Sequence, residues 1–100
     1  VKVLIIEDEA PAANRLCKLL QTHMDEAEIM QRLDSVEASV KYLQQATTQP
    51  DLIFMDIQLA DGLSFDIFNQ VNVNTPVIFT TAFDQYTLKA FKVNSIDYLL

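Results

Sequence analysis

Two kinds of segment alternate along the chain. Short, nearly unbroken apolar runs stand at Val1–Ile6 (with Lys2 as the exception), at the interrupted Ile29–Leu33, and at Leu52–Met55, Val77–Phe79 and Tyr98–Leu100. Their length and β-branched content predict strands. Leu4-Ile5-Ile6 and Leu52-Ile53-Phe54-Met55 carry no period of two, so they predict strands buried on both faces. Between the runs, apolar positions recur at helical spacing. Ala13, Leu16, Cys17, Leu20 and Met24 form one stripe, and Pro11 suits the first turn of that helix, where no backbone donor is needed. Asp34 followed by Glu37 resembles a capping box opening a second helix, with Val36, Val40 and Leu43 on its buried face. Ile67, Phe68 and Val71 predict a short third helix. Tyr86, Ala90, Phe91 and Val93 predict a fourth.

The predicted order is therefore βαβαβαβαβ. Strict alternation with short connections means a parallel, doubly wound α/β sheet. The expected strand order is 2-1-3-4-5, the flavodoxin-like arrangement, with the site outside the carboxyl ends of the strands where the order switches between strands 1 and 3. A chain of 100 residues fits one domain. It stops directly after the fifth strand, where a sheet of this kind ordinarily receives one more helix. The expectation is a single domain over residues 1–100, truncated after that strand.

Charge narrows the function classes. The net charge is -7, and an acidic surface repels phosphate backbones, so this domain is not expected to bind nucleic acid or an anionic membrane itself. No apolar run approaches the roughly 20 residues that span a bilayer, and no signal peptide is visible. Cys17 is the one cysteine, so no intrachain disulfide can form, in keeping with a reducing, cytoplasmic setting. It reads as a small core residue, and His23 as a surface residue near a helix end.

The fold rule says where to look for chemistry. Strand 1 ends in Glu7-Asp8-Glu9, strand 3 in Asp56 and strand 4 in Thr80-Thr81. Two carboxylates about 4 Å apart repel by roughly 4 kcal/mol at an effective dielectric near 20. A divalent cation removes that conflict, and all-oxygen ligands point to Mg²⁺ rather than zinc. Asp56 then becomes the natural nucleophile, because its backbone is anchored by four apolar residues and a carboxylate can form an acyl phosphate. Each residue also has a plainer reading. Glu7, Asp8 and Glu9 could face a helix dipole, Asp56 could order a loop, and the threonines could be ordinary strand residues. The convergence of all of them on one sheet edge favours a site.

With these residues in place, the sequence resembles the response-regulator receiver family over its whole length. The stretches that carry the resemblance are LIIEDEAPA (4–12), PDLIFMDIQLADG (50–62), VIFTTAF (77–83) and IDYLL (96–100). The run TTAFDQYTLKAFKVNSIDYLL further resembles the branch whose members carry a LytTR DNA-binding domain. The resemblance implies that Asp56 is the phosphoacceptor and that Asp8 contacts Mg²⁺ directly, with Glu7 acting through water. Gln58 would offer the metal its backbone carbonyl. Thr81 would bond the phosphoryl group, and Tyr98 would be the aromatic switch on strand 5. It also implies a sensor histidine kinase as partner, and output through the helix 4–strand 5 face by homodimer formation. DNA would be reached only through an output domain outside this chain. Three departures accompany these matches. The first acid is Glu rather than Asp. Ala60 replaces a usual proline, with Gly62 two positions early and Ser64 where glycine is usual. A lysine expected after Leu100 lies beyond the chain.

Two other readings compete. One is a phosphate-independent pseudo-receiver that works by binding alone, against which the set Glu7, Asp8, Asp56 and Thr81 argues. The other is a nucleotide- or flavin-binding domain, which needs glycines in the first strand-to-helix turn. That turn here is Glu-Asp-Glu-Ala-Pro.

Overall fold

The computed structural model describes residues 1–80 and the strand at 95–99. Its elements run β1 (Lys2–Ile6), α1 (Ala10–His23), β2 (Glu28–Leu33), α2 (Val36–Gln45), β3 (Leu52–Met55), β4 (Gln58–Leu59), β5 (Gly62–Leu63), α3 (Phe65–Gln70), β6 (Val77–Thr80) and β7 (Ser95–Leu99). Five strands form one parallel sheet in the order β2-β1-β3-β6-β7. Counted along the sheet's own strands, this is the expected 2-1-3-4-5. The proposed fourth helix lies outside the described residues.

The unbroken apolar runs have a direct cause. Val3, Leu4, Ile5 and Ile6 are all fully buried, but alternate residues serve opposite faces. Leu4 and Ile6 join Ile53, Met55, Val77 and Phe79 beneath α2 and α3. Val3 and Ile5 join Phe54 beneath Ala13 and Leu20 of α1. Each such side chain stabilises the fold by about 1.5–3 kcal/mol relative to exposure, which is why β1 tolerates no polar residue after Lys2. Phe79 is also packed from above by Phe65 and Phe68, with ring centroids at 5.6 and 6.4 Å. These contacts settle α3 over the carboxyl half of the sheet.

Helix ends depart from the sequence reading in three places, the first at Met24, which lies just past the end of α1 with its N–H donating to the Leu20 carbonyl at 2.8 Å. Ser35, not Asp34, caps α2: its Oγ accepts from the Ala38 N–H at 3.0 Å. The cap is the residue whose oxygen reaches the third helical amide, and one step along the chain moves Asp34 out of reach. Val71 lies past the end of α3 rather than inside it, its N–H closing the last turn onto the Ile67 carbonyl at 3.0 Å.

The loop after β3 forms a structure the sequence reading left open. Gln58–Leu59 pairs antiparallel with Gly62–Leu63, turning through Ala60 and Asp61. Gly62 has φ 147°, a region that L residues rarely adopt. The nearest atom to a Cβ there would be Asp66 Oδ2 at 3.7 Å. Glycine is therefore favoured here by backbone conformation rather than by lack of room.

Candidate functional site

Strand register places the acidic residues. The Asp56 N–H donates to the Ile6 carbonyl at 2.9 Å, and the Glu7 N–H donates to the Leu33 carbonyl at 2.8 Å. β2, β1 and β3 thus leave the sheet together, and the first residues beyond β1 and β3 are carboxylates. Glu7, Asp8 and Asp56 are all half-buried, and one carboxylate oxygen from each lies within 4.8 Å of the others. α1 begins at Ala10 with Pro11 in its first turn, so Glu9 is the cap residue. Glu9 makes no side-chain cap bond, and α1 has no acid in its first turn. Glu7 and Asp8 precede the helix and lie in the cluster with Asp56, while Glu9 stands at the helix end.

The electrostatics show strain of the expected kind. The Glu7 carboxyl is raised to about 8, first by burial, then by its hydrogen bond to Asp56 and the negative charge there. The Glu9 N–H donates to Glu7 Oε2 at 3.4 Å and opposes the rise. Asp56 is also raised, chiefly by burial. The Glu7 side chain and the N–H groups of Gln58 and Ile57 favour its charged form, while the charge of Asp8 disfavours it. Burial and mutual repulsion thus favour one proton shared within the Glu7–Asp56 pair over two full charges. A divalent cation among these three groups would take over the charge balancing that this proton performs. The three side chains offer only carboxylate oxygens, which suits a hard cation such as Mg²⁺.

A cleft of about 290 Å³ opens beside the cluster, lined by Glu7, Asp8, Ala10, Ala13, Arg32, Leu33 and Asp34. Arg32 was not anticipated. The signal for it was present, since the carboxyl end of strand 2 borders strand 1 in the predicted order. Asp61 carries no reading of its own in the sequence beyond its place in the stretch 50–62. Of the other predicted residues, Gln58 opens β4 directly after the cluster. Tyr98 pairs with Phe79 in the β6–β7 ladder. Thr80 ends β6, and Thr81 lies outside the described residues.

Comparison with known proteins decides the family. The model of the response regulator receiver domain matches residues 3–100. This chain belongs to the response regulator receiver family. Among its relatives, the sensory transduction protein LytT of Bacillus cereus is 42% identical over 103 residues, covering 100% of this chain and 41% of that protein. LytT of Bacillus subtilis is 38% identical, covering 99% of this chain and 41% of that protein. The receiver domain thus spans about two-fifths of the length of the curated relatives it matches. Among solved structures, the response regulatory domain of mrkE from Klebsiella pneumoniae superposes with a TM-score of 0.83 at 33% identity, covering 100% of this chain and 82% of that one. TrrA of Thermotoga maritima, crystallised in complex with Mg²⁺–BeF, shares the fold with a TM-score of 0.79 at 19% identity, covering 99% of this chain and 84% of that one. Among the described residues of this receiver, no helix is long and apolar enough to cross a membrane.

Proposed function

We propose that this receiver takes a phosphoryl group on Asp56 from the phosphohistidine of a sensor histidine kinase, with Mg²⁺, and passes the change to an output domain. The observation that carries the reading is the convergence of Glu7, Asp8 and Asp56 at the carboxyl edge of β1 and β3. In the transfer, an Asp56 oxygen forms a bond to phosphorus while the phosphorus–nitrogen bond of the donor breaks and its imidazole leaves. The carboxylates of Asp8 and Asp56, Glu7 through water, and the Gln58 carbonyl would hold the metal, which when bound supplies positive charge to the phosphoryl oxygens. β3 fixes the nucleophile, because Ile53 and Met55 are fully buried and the Asp56 amide is tied to Ile6.

The resemblance supports the remaining roles. The Thr81 hydroxyl donates to the phosphoryl group, and Tyr98 on β7 responds, so that the surface of helix 4 and the last strand changes shape. Tighter homodimer formation through that face is the expected output. The LytT and LytR relatives, each more than twice as long as this chain, support a LytTR-type DNA-binding output domain in a cytoplasmic regulator. The receiver catalyses only its own phosphorylation and dephosphorylation.

The test is intact-mass analysis after incubation with a small acyl phosphate. One phosphoryl group should appear with Mg²⁺ and none when a chelator is added. Asp56→Asn should gain none. Equal labelling of that variant would overturn the reading.

A further inference from the structure

The first three amides of an α-helix have no partner inside the helix. In α2 the local cap Ser35 satisfies only the third, that of Ala38, at 3.0 Å. The first two are taken by a residue from a distant turn. Asp61 Oδ1 accepts from the Val36 N–H at 2.7 Å, and Asp61 Oδ2 accepts from the Glu37 N–H at 3.1 Å. Both oxygens of one carboxylate are thus committed to one helix end. The part-buried Val36 amide needs a protein partner, but the Glu37 amide does not. Glu37 is exposed, so water could satisfy its amide.

The tether acts on what carries Asp61. That residue sits in the exposed turn of the β4–β5 hairpin, whose first residue is Gln58. The hairpin is tied together at its base. Ile57, just before β4, and Leu59 within it are buried, and the Ser64 N–H donates to the Ile57 carbonyl at 2.7 Å, closing the hairpin's base. One end of this unit therefore joins the phosphoacceptor strand at Asp56, and its tip is fastened to α2.

We propose that Asp61 is a positioning residue for the metal site: by clamping the hairpin to α2 it holds the Gln58 backbone for the cation, and so couples the state of the Asp56 site to the amino end of α2. This rests on the metal site proposed above. Asp61 touches neither metal nor phosphoryl group and acts through the hairpin alone.

The experiment is a Mg²⁺ titration followed by NMR, reading the amides of Gln58, Val36 and Glu37. In the wild type all three should shift with one dissociation constant. In Asp61→Ala the affinity should fall roughly tenfold, the scale of lost outer-shell support, and Val36 and Glu37 should stop responding. Ser35→Ala is the control, because it removes a cap from the same helix without touching the hairpin. It should lower stability and leave Mg²⁺ affinity unchanged. Should Asp61→Ala not fold, Asp61→Asn decides, since it keeps an acceptor for one amide only. A weaker affinity supports the proposal, and an unchanged one overturns it. Unaltered affinity in a folded Asp61→Ala, or an equal loss in Ser35→Ala, would overturn the positioning role while leaving the metal site standing. No Mg²⁺ response in the wild type would instead overturn the metal site, and the coupling with it.

Discussion

Glu7 and Asp56 face each other from neighbouring strands, and the Glu7 carboxyl is raised to about 8 by burial and by the carboxylate opposite. A receiver site built this way is poised for a cation. Without one, a shared proton relieves the repulsion between the two carboxyls.

Mg²⁺ should therefore stabilise the folded receiver, because the unfolded chain does not hold the three carboxylates together. A site of this kind yields about 2.7 kcal/mol when the ion is at about a hundred times its dissociation constant. Thermal melts with and without Mg²⁺ measure it. Asp8→Asn should remove more of the gain than Glu7→Gln, since Asp8 is the proposed direct ligand. An unchanged midpoint in millimolar Mg²⁺ would count against the site.

Stability without metal should depend on pH in a direction unusual for carboxylates. The folded Glu7 carboxyl sits near 8, against an ordinary value of 4.5. Between these values the native state binds the extra proton, so its contribution is complete below about 4.5 and is lost as pH rises through about 8. Asp56, also raised, acts in the same sense. Chemical denaturation in chelator should show stability falling over that window. Glu7→Gln should flatten the fall, and a wild-type curve that rises instead would contradict the assignment.

The helix cap separates two readings of the same stretch. Ser35→Ala should cost about 1 kcal/mol, the usual loss for a cap. Asp34→Ala should cost less than about half of that, as expected of a surface change, because Asp34 is exposed and does not cap α2. Urea titration of both variants measures the difference, and the reverse order would restore Asp34 as the cap.

Strand identity was legible because burial on both faces leaves a mark that polar residues cannot imitate. Leu4-Ile5-Ile6 and Leu52–Met55 read as interior strands from their length and lack of a period of two, and the carboxyl-edge rule then pointed to Glu7, Asp8 and Asp56 before any motif was needed. The β4–β5 hairpin was not legible. Gln58-Leu59-Ala60-Asp61-Gly62-Leu63 is too short to show a period, and its shape depends on Gly62 at φ 147° and on two amides at the start of α2. Those partners lie 25 and 24 residues away, beyond the reach of local pattern. Ser35 was missed for a smaller reason: Asp34 and Ser35 are both good cap residues, and only the helix's actual start distinguishes them.

Borohydride trapping tests the central claim most directly, because it reduces an aspartyl phosphate to homoserine at the residue that carried the phosphoryl group. The protein is incubated with Mg²⁺ and a small acyl phosphate, reduced, digested and mapped by mass spectrometry. Homoserine at position 56, and at no other aspartate, is the predicted result. Phosphoryl uptake with Asp56 intact, or reduction at Asp8 in its place, would contradict the account.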